Sequence, residues 1–114
     1  MMECLFCKIV DGEIPSKKVY EDDLIFAFCD INPMAPVHIL IIPKVHTASS
    51  MDEITPENSK YVARIFEKIP VIAKDAGLTG GYRVIANCGP DADQTVQHLH
   101  FHLLGGKKLS VQLG

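Results

Sequence analysis

Three histidines stand at alternate positions, His98, His100 and His102, separated by Leu99 and Phe101. Imidazole titrates near neutral pH and can serve as acid, base, nucleophile or metal ligand, so the cluster calls for a chemical explanation. On a strand, period-two spacing puts the three imidazoles on one face and Leu99, Phe101 and Leu103 on the other. The apolar face needs only a helix to pack against it. The imidazole face admits three readings. A solvated face is the plainest, but such faces are normally Lys, Glu and Thr, and here three of the five histidines fall within five residues. One metal shared by all three is the second. The outer pair would lie about 13–14 Å apart at roughly 3.4 Å per residue, too far for zinc bonds of roughly 2.0–2.1 Å unless the strand bends. The third, a reactive imidazole flanked by two helpers, fits the pattern best.

A second group of residue types lies at the start of the chain. Cys4 and Cys7 form a Cys-x-x-Cys pair, while Cys29 and Cys88 stand alone. Met1-Met2-Glu3-Cys4 lacks the basic-then-apolar pattern of an export signal, so a cytoplasmic location is expected. The four cysteines are then expected as thiols or metal ligands before disulfides.

The elements that must position these groups can be read from periodicity and punctuation. Leu5–Val10 suits one or two helical turns ended by Gly12. Residues 19–20 and Ile25–Cys29 read as two short strands around the turn Glu21-Asp22-Asp23. Residues 30–36, with Pro33 and Pro36, read as a loop, and the β-branched run 38–42 as a strand closed by Pro43. The main helix is expected to start near Thr55, with Thr55 as cap, Pro56 in the first position and Glu57 favouring the positive end. Val62, Ile65, Phe66, Ile69 and Ala73 make one apolar stripe; Pro70 predicts a kink or break, and Gly77 an end. Residues 82–87 and 98–104 complete a set of about five strands. The expectation is an α+β domain: an antiparallel sheet, one long helix and a short N-terminal helix.

Bulk composition agrees. The 114 residues fit one domain, 1–114, with no repeat or linker dividing it. Hydrophobic content of 47% with 22% charged residues argues against disorder, and no apolar run approaches 18 residues, so no membrane span is expected. A net charge of -3 without a basic block argues against nucleic-acid binding. A single nucleotide held by local donors is compatible with that charge.

His-Leu-His-Phe-His-Leu-Leu at 98–104 resembles the signature of the histidine triad (HIT) family. Gly105-Gly106 and the preceding Gln94-Thr95-Val96 are similar to its adenosine-phosphoramidate hydrolase branch. Further matches are Cys4-x-x-Cys7-Lys8-Ile9, Gly12-Glu13-Ile14-Pro15-Ser16, Phe28-x-Asp30-Ile31-x-Pro33, Ala35-Pro36-x-His38 and Ile42-Pro43-Lys44-x-His46, so the resemblance runs in order from residue 4 to 106.

The resemblance implies a HIT-like fold and hydrolysis of purine nucleoside phosphoramidates. His100 would be the nucleophile at the α-phosphate, forming a nucleotidyl-imidazole that water then opens, with His98 and His102 flanking it. His102 would bond to phosphate oxygens or the leaving group, joined by Thr95 where many relatives carry serine. Asp30 would hold the ribose hydroxyls, a role compatible with the turn-forming Asp expected of such a loop. Ile31 would flank the base, Asn87 would bond near the phosphate, and His38 would support the pocket. Cys4, Cys7, His46 and His98 would hold a structural zinc, since Cys₂His₂ is a closed-site composition; a pair of reduced thiols is the plain alternative. No organic cofactor is implied.

Two other functions stay open: a dinucleoside-polyphosphate hydrolase of the same family, and a nucleotide-binding module without turnover. The retained His100 argues against the latter. Gly105-Gly106 and the Cys-x-x-Cys pair favour the phosphoramidase. The resemblance also implies a homodimer. Residues 62–76 carry more apolar surface than one stripe on one sheet needs, which a partner would cover; the alternative is that Pro70 bends the helix so that both apolar sides wrap the chain's own core. In relatives the C-terminal tail can reach the partner subunit; here residues 107–114 are short and lack tryptophan.

Overall fold

Residues 4–113 are described by a computed structural model, and its first element is set by a cysteine. Cys4 caps helix α1 (Leu5–Val10), its sulfur accepting the Cys7 N–H at 3.2 Å. The chain continues through β1 (Lys18–Glu21), β2 (Ile25–Cys29), β3 (Val37–Pro43), α2 (Ser59–Asp75), β4 (Tyr82–Ile85) and β5 (Phe101–Gly105), with short 3-10 turns at Met51–Glu53 and Pro90–Ala92. The turn between β1 and β2 is built by Asp22, whose Oδ1 accepts the N–H groups of Leu24 and Ile25. The expected α+β architecture is present: five antiparallel strands in the order β1-β2-β3-β5-β4, one main helix and a short N-terminal helix. Among the described residues no helix is long and apolar enough to cross a membrane.

Alternation along the strands gives the sheet two unlike faces. Ile25, Ala27, Ile39, Ile41, Phe101 and Leu103 pack with Ile65, Ile69, Ile72 and Ala73 of α2 into the larger core. Phe26, Phe28, Leu40 and Ile42, on the opposite face, meet Phe6 and Ile9 of α1. Register places Phe28, Leu40, His102 and Ile85 in one row across four strands, so His102 stands on the α1 side. His38 belongs to the same face, opposite Leu104.

Four local expectations need correction. β5 begins at Phe101, not 98, so His98 and His100 lie in irregular backbone before the strand. The Leu99 N–H is spent on the Ala48 carbonyl at 2.9 Å, and ladder pairing with β3 stops at Ile41 opposite Phe101. The in-out alternation survives, because Leu99, Phe101 and Leu103 all enter the α2-side core. The main helix starts at Ser59, with Asn58 as N-cap, because Thr55 heads a separate turn: its N–H donates to Asn58 Oδ1 at 2.7 Å and its carbonyl accepts the Ser59 N–H at 2.9 Å. Pro70 does not break α2, which is continuous from Ser59 to Asp75. It lies on the exposed side, where the carbonyl deprived of its N–H partner can turn to water. β4 ends at Ile85, leaving Asn87 beyond it.

Candidate active site and metal centre

The three triad histidines split between two adjoining clusters on the α1 side of the sheet. His100 Nδ1 lies 2.7 Å from the carbonyl oxygen of His98. A carbonyl only accepts, so Nδ1 carries the proton and Nε2 keeps the lone pair. Burial pushes the His100 pKa down, which keeps the ring neutral at pH 7. A neutral imidazole with a lone pair on Nε2 is the nucleophilic form.

His102 is assigned the complementary state by a chain of hydrogen bonds. The Met34 N–H donates to His38 Nδ1 at 3.1 Å, so His38 must be protonated on Nε2. That proton is directed at His102 Nδ1, 2.9 Å away, which leaves the His102 proton on Nε2. Burial lowers the pKa of both rings, that of His102 to about 4, so both are neutral at pH 7. Asp30 Oδ2, 3.5 Å from His38 Nε2, opposes that shift without reversing it. His102 Nε2 is buried and has no hydrogen-bond partner among the described residues. The rings of His100 and His102 are 5.1 Å apart, so a lone pair and an unpaired donor stand side by side. One can attack an electrophilic centre while the other holds an oxygen bound to it.

The remaining predicted nucleotide-binding residues lie on loops, and of these Asp30 is brought next to His38 and His102. Asp30 follows β2 and spends Oδ1 on the Asn32 N–H at 2.8 Å, the turn-forming role; Oδ2 faces His38. Ile31 is 88% exposed, an apolar side chain turned to solvent. Asn87 is half-buried, two residues beyond Ile85, the register partner of His102. Thr95 is exposed in the loop leading to the triad. Sequence reasoning used Gln94 only for its resemblance, yet it fastens that loop: Nε2 donates to the carbonyls of Ser49 and Val96, and Oε1 accepts the Gly89 N–H. The backbone groups that fix the histidine tautomers, those of His98, Pro43 and Met34, were not legible at all, since nothing in residue type marks a carbonyl or N–H as a partner.

The second cluster gathers Cys4, Cys7, His46 and His98, whose ligand atoms all lie within 4.8 Å of one another. His98 Nδ1 is 3.3 Å from Cys4 Sγ and 3.5 Å from Cys7 Sγ, and His46 Nδ1 is 3.6 Å from Cys7 Sγ. Zinc bonds of about 2.3 Å to sulfur and about 2.0–2.1 Å to nitrogen give tetrahedron edges of about 3.3–3.8 Å, so these separations suit that ion. His98 is fully buried and its Nε2 donates to the Pro43 carbonyl at 2.9 Å, which turns the Nδ1 lone pair toward the sulfurs. Burial lowers its pKa to about 4, keeping it in the ligating neutral form. Burial first, and then Cys4, push the Cys7 thiol up to about 11, so a cation would have to displace its proton. The four residues fit zinc. Asp30, His38 and His102 also lie within 4.8 Å of one another. There, however, His38 Nε2 and His102 Nδ1 point at each other across a shared proton, the geometry of a hydrogen bond.

The HIT domain family matches residues 11–109. The chain is 45% identical over 107 residues to the 14 kDa zinc-binding protein of Zea mays, covering 93% of this chain and 84% of that protein. It is 40% identical over 107 residues to Adenylylsulfatase HINT1 of Arabidopsis thaliana, covering 93% of this chain and 73% of the other. A HIT family hydrolase from Clostridium thermocellum superposes with a TM-score of 0.94 at 46% identity, covering 99% of this chain and 98% of that one.

Proposed function

The chain belongs to the HIT family, and from that premise we propose that it is a purine nucleoside phosphoramidate hydrolase working through a covalent nucleotidyl-His100. The observation that carries this reading is the pairing of protonation states: His100 Nδ1 is tied to the His98 carbonyl, freeing Nε2, beside a buried His102 Nε2 without a partner. His100 Nε2 bonds to the α-phosphorus as the bond from phosphorus to the leaving nitrogen breaks, the amine taking a proton from solvent. Water then attacks the same phosphorus and breaks the bond to His100, releasing nucleoside monophosphate and restoring the ring. His102 Nε2–H and Thr95 hold phosphoryl oxygens, Asn87 bonds near the phosphate, Asp30 accepts from the ribose hydroxyls, Ile31 covers the base, and His38 keeps His102 in its donor form.

Cys4, Cys7, His46 and His98 hold a zinc ion whose contribution is a structural tie between α1 and the segment before β5. The name of the maize relative supports zinc. The Arabidopsis relative is named as an adenylylsulfatase, which supports an adenylyl compound as the class of substrate. Half-exposed Phe66 and Val71 on α2 support a homodimer, since a partner would cover them.

The test is hydrolysis of adenosine 5′-phosphoramidate by wild type and His100→Ala. The variant should lose turnover by more than about 10³-fold, ~4 kcal/mol of barrier, with AMP affinity kept within about threefold. Turnover within about tenfold of wild type would exclude the covalent route.

A further inference from the structure

Between Cys4 and Cys7 lies Phe6, and what it touches connects the two clusters. Phe6 is 4% exposed, and its ring meets His100 edge-on, with centroids 5.1 Å apart and planes at 90°. The same ring lies 5.9 Å from His98 and 5.6 Å from Phe28. His98 makes a second connection. Its Nδ1 faces Cys4 and Cys7, its Nε2 donates to Pro43, and its own carbonyl accepts the His100 Nδ1–H at 2.7 Å. The hydrogen bond that sets the His100 tautomer and the ring packed against it therefore both come from the Cys-x-x-Cys loop or from one of the cluster's histidines.

α1 has only six residues, too few to hold its own shape in water, so its position depends on such ties. With the two sulfurs and two imidazoles bound to one cation, the Phe6 ring and the His98 carbonyl are fixed relative to each other. His100 is then held in one rotamer and one tautomer. Without the cation, the sulfurs of Cys4 and Cys7 keep only contacts of 3.3–3.6 Å with the His46 and His98 rings, and α1 is held otherwise by the core packing of Phe6 and Ile9. A displacement of about 1 Å at a nucleophile costs on the order of 10²-fold in rate.

We propose that the Cys4/Cys7/His46/His98 site positions the nucleophile: a divalent cation such as zinc bound there sets the rate of attack by His100 through Phe6 and the His98 carbonyl, and leaves nucleotide affinity nearly unchanged. Phe6 and His98 are positioning residues in this scheme, which rests on His100 being the nucleophile.

The experiment compares zinc-loaded protein, the same protein stripped by a chelator and then refilled, and zinc-loaded Phe6→Leu. Four quantities are read: zinc content, AMP affinity, the single-turnover rate of adduct formation, and the downfield NMR signal of the His100 Nδ1 proton, identified by its loss in His100→Gln. Phe6→Leu should keep one zinc per chain and AMP affinity within about threefold, yet form adduct about tenfold more slowly or worse and broaden the Nδ1 proton signal. Stripped protein should show the same loss, and refilling should reverse it. An Nδ1 signal and adduct rate indifferent to both zinc and Phe6→Leu would overturn the coupling. If stripping unfolds the chain, Phe6→Leu alone decides. If loaded wild type forms no adduct, the nucleophile assignment fails; the zinc dependence of the Nδ1 signal still decides the coupling.

Discussion

His102 carries a buried N–H that finds no partner among the described residues. A buried donor without a partner costs roughly 1–3 kcal/mol, a cost that makes sense where a ligand oxygen takes the bond. That donor is fixed because His38 Nε2–H donates a hydrogen bond to the other nitrogen. His38→Leu should free His102 to protonate on Nδ1 and lower turnover by about 10–100-fold, ~1.4–3 kcal/mol. Steady-state kinetics with AMP as competitive inhibitor would check it, and unchanged kcat would contradict the relay. The same ring has a pH signature. Burial, helped by His100 and His38, holds the folded pKa of His102 at about 4, below its ordinary 6.5. The unfolded chain therefore binds more protons between those values, and the stability tied to this ring is full above pH 6.5 and lost as pH falls toward 4. Discounting for partial exposure, His102→Gln should reduce the loss between pH 7.5 and 4.5 by roughly 1–2 kcal/mol in urea unfolding. Equal pH slopes would refute the burial argument. The alternation of the triad with apolar residues was legible in the sequence. Which nitrogen is free on His100 and which carries the proton on His102 rests on the His98 carbonyl and, through His38, on the Met34 N–H, and no pattern of residue types displays those.

Elements were legible where periodicity and punctuation agree, as in Ile25–Cys29 and in the stop at Gly77, whose φ of +78° suits glycine. They were less legible where side chains reach across the sequence. Asn58 spends its side chain on Thr55, Glu53 and Thr47, so the strongest-looking helix start, Thr55-Pro56-Glu57, closes a turn instead. β5 starts late because Ala48, far along the chain, takes the Leu99 N–H. Gly105 and Gly106, read as a family feature, have physical reasons as well. A Cβ on Gly105 would come within 2.8 Å of Leu78 Cδ2, and Gly106 sits at a φ of +93°. Pro70 is the element with a clear test. Its ring occupies an exposed place in a continuous helix, so Pro70→Ala should restore one backbone bond and stabilise the fold by roughly 1–3 kcal/mol. Thermal unfolding would show it, and a fall in stability would mean that the proline packs against something not present in one chain.

At the scale of the molecule, the two faces of one sheet divide the work: α2 closes the larger core, and α1 covers the face that carries the histidines. Phe66 remains 48% exposed and Val71 44% exposed on α2, part of the apolar surplus read from residues 62–76. Light scattering at micromolar concentration should give about twice the 12.6 kDa chain mass. A single-chain mass persisting to tens of micromolar would show that this surface stays uncovered. Purified without chelator or added metal, each chain should carry one zinc, and Cys4→Ser should lower that content; metal indifferent to Cys4 would reduce the pair to two thiols. The central claim, attack by His100, is tested most directly by intact-mass spectrometry within seconds of mixing with adenosine 5′-phosphoramidate. The account predicts one adenylyl group per chain, mapping to His100 and lost with time as AMP is released. AMP produced by wild type with no adduct at any time, even under an alkaline denaturing quench that preserves phosphorus–imidazole bonds, would contradict it.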